Sequence, residues 1–424
     1  MKVFDPLYGA FELPSLASRL VMAPEIRRLS QIRLLNSLTP SLATLGELRR
    51  FSHTLGVLHL FSFWKSRHAD QFSRKDLDAL EAAILLHDVA TPPFGHLFEY
   101  ILKEKQGWDH EQASSELFRR HHAPENFGHQ IFAGQTPKVY RLIQKLNIDH
   151  TAIDEILKKR HQLHALIMGS VDFDNIDNVW RMAWSLGLNA RIEDARELAS
   201  EISVSSNGNL VVPRSSRGLL AKWAALRKSV YEILIFDPST VAGQAILTKA
   251  FRIAINEGFL SGESWTLTDE ELLSELQKHP STKRIINQQY LGELPQSLMT
   301  IQLKWNDGPL FSAPREEIES SALNSLAPIL KGNLLIYIFK ERGSFSKKIT
   351  LFDEDGKKEQ FGETTQSLII YLFGPETLCR QVEKKSKEIV QNLLSTLQAK
   401  NEDIIKITGT ASNIDRHDHN QLFS

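Results

Sequence analysis

From Leu16 to about Leu260, apolar residues return every three or four positions, and this spacing constrains the fold more than any single motif. Clear stretches are Leu45 to Trp64, Leu77 to His87, Gln112 to Phe118, Ile153 to Met168 and Asn175 to Leu186. A period near 3.6 residues sustained over so much chain builds a helical body. Ser73 followed by Asp76 marks one helix start of the capping-box type, with Asp in place of Glu. The one interruption is "ISVSSNGNLVV" (Ile202 to Val212), where β-rich flanks around Asn-Gly predict a hairpin. After about Gly332 the texture changes. "NLLIYIFK", "SKKITLFDEDGKKEQF" (turning at Asp355-Gly356) and "SLIIYLF" read as strands. A helix over Glu376 to Gln398 follows, with Val382, Ile389, Leu393 and Leu397 as its packing face. The expected fold is mainly α: a helical core with a small β-hairpin over residues 1–330, a C-terminal α+β module over 331–400 and a polar tail over 401–424.

The net charge of -1 gives no general attraction to nucleic acid or anionic membrane, so a site for a polyanion must be a local cluster of basic residues. Nucleic acid is therefore not an expected partner, and the lysines of the last helix read as solvated. Cys379 is the only cysteine, which excludes an intrachain disulfide framework and a multi-thiolate metal site. "MKVFDPLYGAFELP" has no basic region followed by an apolar run, so no secretory leader is expected. No apolar stretch approaches the ~18–20 residues that span a bilayer. A cytoplasmic protein without membrane association is the expectation.

"AAILLHDVATPPFGHLFEY" (Ala82 to Tyr100) carries the chemistry. Leu77, Leu80, Ile84 and His87 share one helix face, so His87 points inward. Asp88 follows at the helix end. A buried carboxylate beside a buried imidazole is costly unless a cation or hydrogen bonds compensate, and a divalent metal compensates both. His53 lies in line with Val57, Leu60 and Trp64, again an inward face. Asp174, Asp177 and Arg181 share a stripe of "SVDFDNIDNVWRMAWSLG" (Ser170 to Gly187), beside an apolar one. Taken alone, Asp172, Asp174 and Asp177 could also be a solvated helix start. "HH" at His121-His122 and "RHDHN" at 416–420 read as surface and tail.

One histidine, then His-Asp, then a distant Asp is the ligand order of the HD phosphohydrolase superfamily, which this chain resembles. Its "DPLYGAFELP", "APEIRRLSQIRLL", "RRFSHTLGV", "LLHDVATPPFGHLFE", "WDHEQAS", "SVDFDNIDNVWR" and "RGLLAKWAALRKSVYE" follow in order the pattern of the deoxynucleoside-triphosphate triphosphohydrolase branch. The resemblance implies an HD-domain helical core. It makes His53, His87, Asp88 and Asp174 ligands of one divalent ion, with Mn, Fe, Ni, Mg and Zn all suited to imidazole and carboxylate. It makes His96 the proton donor to the leaving oxygen, with Glu99 at the following acidic position and His110-Glu111 completing the acid–base network. On spacing alone, His110-Glu111 would be a helix-start surface pair. It gives Arg50 and Arg227 to the phosphates. Homo-oligomers are common in this branch, some with nucleotide effector sites between subunits.

The chain departs from the pattern on the substrate side. Thr91 stands where relatives carry His or Asn, and Asn178 where they carry a tyrosine near phosphate and sugar. Sugar-reading Gln and Asp fall on Leu34 and Met182, and a later Tyr and His on Ile235 and Asp237. Lost polar partners matter because polar discrimination is where selectivity is strongest. The resemblance thus implies metal-dependent hydrolysis of a nucleotide, giving deoxynucleoside and triphosphate from a dNTP. The alternatives are another phosphoester, such as a nucleoside monophosphate or cyclic nucleotide, and a catalytically weak nucleotide sensor.

Overall fold

A computed structural model describes residues 1–36, 39–119, 138–305 and 308–409. His121, His122 and the 416–420 stretch lie outside these residues, as does the tail from 410 onward. The fold is mainly α, with a helical body and a C-terminal α+β module.

The body is organised around helix Arg50–His68, in which His53 through Phe61 are all buried, so it runs through the core and not along the surface. Helices Arg74–Leu86, Phe173–Ser185 and Ile192–Glu201 pack around it. Gly56 makes the approach of Phe173–Ser185 feasible, because a Cβ there would collide with the side chains of Asp177 and Arg181. Ser73 caps Arg74–Leu86 as expected, its Oγ accepting from Asp76 N–H at 3.1 Å. The return half of the box differs: the Asp76 carboxylate takes the Ser73 hydroxyl at 2.7 Å. Asp is one methylene shorter than Glu and does not reach back to the cap N–H.

The hairpin forms between Ser203–Val204 and Leu210–Val211, with Gly208 at φ +73 in the turn. It does not stand alone. Val211 pairs in parallel with Phe352, so the hairpin extends through Ile349–Phe352 and Lys358–Phe361 into a four-stranded sheet. Strands read as belonging to the C-terminal module are thereby shared with the body.

The module's own sheet is antiparallel, ordered Ile404–Thr408, Gln296–Lys304, Gln366–Gly374, Leu335–Arg342. It takes one strand from before residue 330 and one from the polar segment after 400. Helices Arg315–Leu326 and Ser386–Leu397 cover one face. Ile235, Val241, Ala242 and Ala245 of the body cover the other, against Tyr337, Ile369, Tyr371 and Phe373. Burial on both faces explains the unbroken apolar run Leu368–Phe373 within Gln366–Gly374. The helix expected over Glu376 to Gln398 is broken at Lys385 into Cys379–Lys384 and Ser386–Leu397, while Val382, Ile389, Leu393 and Leu397 all stay buried.

Candidate metal centre

Three elements of the body converge on one point. Helix Arg50–His68 supplies His53, the end of Arg74–Leu86 supplies His87 and Asp88, and the first turn of Phe173–Ser185 supplies Asp174. One ligand atom each from His53, His87 and Asp88 lies within 4.8 Å of the other two. Asp174 Oδ1 is 2.8 Å from His53 Nε2 and 3.6 Å from His87 Nε2. Asp88 Oδ2 is 3.6 Å from His87 Nε2.

The far side of each imidazole is fixed. His87 Nδ1 lies 2.7 Å from Ile84 O, an acceptor only, so Nδ1 carries the proton. Among the described residues, His87 Nε2 is then left buried with no hydrogen-bond partner, aimed at the carboxylates. His53 Nδ1 donates to Asp177 Oδ2 at 2.7 Å. Asp177 is fully buried and held by Arg181 through Nε at 2.9 Å and Nη2 at 3.0 Å, and Arg181 reaches on to Asp5 at 3.0 Å. A carboxylate behind a ligating histidine sets its tautomer and leaves the other nitrogen for a metal. Spacing placed Asp177 on the same stripe as Asp174; its role behind His53 depends on which helix faces which.

Charge is arranged in the same sense. Burial would push the His53 imidazole down, but its bonds to Asp174 and Asp177 raise it to about 10. Burial would raise Asp88, but Arg50 and then His87 hold it well below the usual carboxylate range. Burial would likewise raise Asp174, which His53 and His87 hold far down. Two carboxylates facing two imidazoles call for positive charge between them. A divalent ion meets that demand and would take the unpartnered His87 Nε2 as a ligand, so the residues fit such an ion. The three acids of the 172–177 segment are not a solvated cluster. Asp172 is buried and caps its helix, accepting from Asn175 N–H and Gly169 N–H at 2.7 Å each. Burial, then repulsion by Asp174, pushes it up to about 7.

Beside this group lies a second one. The Glu99 carboxylate takes His96 Nδ1 at 2.7 Å on one oxygen and His110 Nδ1 at 2.5 Å on the other. Burial would raise Glu99, but these two imidazoles, His110 first, hold it well below its ordinary value. Burial would lower His110, but the Glu99 hydrogen bond raises it. The His96 side chain is 75% exposed, which leaves it open to a bound molecule. Glu111 is exposed and does not share the bond to Glu99; it borders, with His87, His110, Phe118, Leu157 and Met168, a small open recess.

The remaining expected residues fall as follows. Arg50 is buried and donates from Nη1 to both Asp88 oxygens, at 3.0 and 2.8 Å. The Thr91 hydroxyl also donates to Asp88, at 3.0 Å, so this buried side chain sits behind the metal group. Asn178 lies one turn beyond Asp174 with its Oδ1 buried and unpartnered among the described residues. Arg227 is on the packed helix Arg217–Phe236; it donates to Gly343 O at 3.2 Å, lies over the Tyr231 ring, and keeps a buried Nε that has no partner among the described residues.

The family described as HD domain matches residues 50–172, from Arg50 to two residues before Asp174. Over 128 residues the chain is 35% identical to the deoxynucleoside triphosphate triphosphohydrolase SAMHD1 of Gallus gallus, covering 28% of this chain and 21% of that protein. Over 260 residues it is 26% identical to the uncharacterized protein YwfO of Bacillus subtilis, covering 58% of this chain and 54% of that one. The chain therefore spans only about a fifth of the first relative and about half of the second. Among solved structures, a phosphohydrolase from Bacteroides thetaiotaomicron superposes with a TM-score of 0.61 at 16% identity, over 88% of this chain and 99% of that one. A hypothetical protein from Aquifex aeolicus gives 0.66 at 18% identity, over 92% and 99%. At such identities the likeness is one of fold.

Proposed function

Because this chain carries an HD domain and is similar to the dNTPase-like branch of the HD phosphohydrolases, we propose that it is a metal-dependent phosphohydrolase of nucleotides, most simply one that splits a dNTP into deoxynucleoside and triphosphate. The observation that carries this reading is the partly buried His53–His87–Asp88 group, with one imidazole nitrogen left without a hydrogen-bond partner among the described residues, next to a pair of histidines bridged by Glu99. His53, His87, Asp88 and Asp174 would hold the ion. Bound there, a divalent ion would acidify a water and polarise a phosphoryl oxygen. His96, tied through Nδ1 to Glu99, presents Nε2 to the leaving oxygen and gives it a proton. Glu99 shares its charge between His96 and His110, and its hydrogen bond raises the His110 imidazole. Arg50 and Arg227 neutralise phosphate, and homo-oligomers are expected, as in the branch it resembles.

One observation favours a second reading, the same chemistry on a different phosphoester. Leu34 and Met182, where the branch reads a sugar, are packed into one apolar cluster. Ile235 is buried against the module. The Asp237 carboxylate is consumed as a helix cap, accepting from Thr240 N–H at 2.7 Å and from Ser41 Oγ at 2.8 Å. These positions have been taken over by packing and capping, so the substrate side is not that of its relatives.

Product analysis across deoxynucleoside and nucleoside tri- and monophosphates and cyclic nucleotides, with Mn, Fe, Ni, Mg and Zn in turn, separates the readings. Inorganic triphosphate with free deoxynucleoside supports the first. Orthophosphate or a ring-opened nucleotide supports the second. Tight nucleotide binding with no product from metal-loaded protein sinks both and leaves a sensor.

A further inference from the structure

The segment "APEIRRLSQIRLL" supplies no group to the metal centre, yet two buried charges link it to the loop that carries one. Arg28 is 1% exposed and donates across two segments: from Nη1 to Thr91 O at 3.0 Å in the loop, and from Nε and Nη2 to Thr266 O at 2.9 Å and to Trp265 O and Leu267 O at 2.5 Å each. Asp269 is fully buried and also joins two segments. Its Oδ1 accepts from Phe94 N–H at 2.9 Å, and its Oδ2 from Arg33 N–H at 2.8 Å. Asp269 begins a helix that is itself firmly fixed by a capping box between Thr268 and Glu271.

The loop needs holding. Phe94 has φ 56, a left-handed conformation uncommon for an aromatic residue, and Gly95 follows at φ 52 and ψ -131, which only glycine adopts readily. A Cβ on Gly95 would also crowd Arg50 Nη2 at 2.8 Å. These two residues turn the chain between His87-Asp88 and His96. The same N-terminal segment touches the other half of the centre, since Ile32 O accepts from Arg50 N–H at 2.9 Å, one turn before His53. Burying a guanidinium and a carboxylate is costly; here Arg28 is compensated by four backbone carbonyls, and Asp269 by two backbone N–H groups and the Arg33 guanidinium, whose Nη1 lies 3.4 Å from Oδ2.

We propose that Arg28 and Asp269 are positioning residues that clamp the 91–95 loop, fixing His96 relative to His87-Asp88 and to the Arg50–His68 helix. The proposal rests on the phosphohydrolase reading only for its kinetic consequence. Asp269→Asn keeps the volume but turns one acceptor into a donor facing an N–H. Arg28→Lys keeps the charge but cannot span four carbonyls. Each variant is examined for hydrogen exchange, for Mn2+ affinity by calorimetry, and for kcat and KM. Exchange should quicken in 91–96 and stay unchanged in 173–185. For a misplaced acid, kcat should fall about tenfold to a hundredfold. KM and Mn2+ affinity should change less than kcat, since Arg28 and Asp269 reach the metal group only through the backbone of Thr91 and Phe94. Unchanged exchange at 91–96, or a kcat loss that merely follows the folded fraction, overturns the clamp. If the wild-type protein hydrolyses no phosphoester, the functional reading fails instead, and exchange alone decides the clamp. Should Asp269→Asn fail to fold, Arg28→Lys carries the same test.

Discussion

At the scale of single residues, the candidate centre is a set of shared protons and charges. Glu99 shows this most plainly, because one carboxylate serves two imidazoles. Its effect on pH dependence has a definite sign. His110 is raised in the folded state, so its contribution to stability is full below the ordinary imidazole value of about 6.5 and is lost as pH rises through the raised one. Glu99 is depressed, so its contribution is present above about 4.3 and is lost as pH falls through the depressed value. Glu99→Gln should therefore lower Tm more at pH 6 than at pH 9, and should move the alkaline limb of the rate profile to lower pH. Equal Tm losses at both pH values would contradict the pairing. Much of this level is legible in sequence. Helical phase turns His53 and His87 inward, and the helix end puts Asp88 beside them. The pairing of His53 with Asp177, and of Glu99 with His110, is not legible, because spacing along one helix says nothing about which neighbour it faces.

At the scale of elements, the centre depends on how closely two helices approach. Gly56 sits one turn after His53, where helix Phe173–Ser185 brings Asp177 and Arg181 against the backbone. Gly56→Ala should force these helices apart. Overpacking of this kind costs about 1–3 kcal/mol, and the shift should loosen the Asp177 bond that fixes the His53 tautomer. A lower Tm together with weaker Mn2+ binding is the expected result; a variant with unchanged Tm would show that the helices have room. Helices and the Asn-Gly hairpin follow from local pattern. Strand Gln296–Lys304 escapes such a reading, because its partner Gln366–Gly374 comes about seventy residues later and local alternation is blurred at Leu298-Met299, where the register shifts. The break at Lys385 is similarly invisible, since the packing face continues across it.

At the scale of the whole molecule, body and module are not strung end to end. They share a sheet through Val211 and Phe352, bury a common face, and are further joined where Tyr371 donates to Ile235 O at 2.5 Å and where Arg252 pairs with Glu319. Arg227 bonds to Gly343 across the same junction. A boundary near residue 330 therefore cuts through structure, and sequence texture marked a change of composition there without showing that strands cross it. The consequence for function is that the metal group, the Glu99 pair and the Arg28–Asp269 clamp belong to one connected fold, and turnover should require the metal group intact within it. The direct measurement is nucleotide hydrolysis by metal-loaded protein, wild type against the His87→Ala, Asp88→Ala double variant, with bound metal quantified in both. The wild type should retain about one divalent ion per chain and release product, and the variant should do neither while remaining folded. Hydrolysis that survives the double substitution at the wild-type rate would contradict the assignment of this centre.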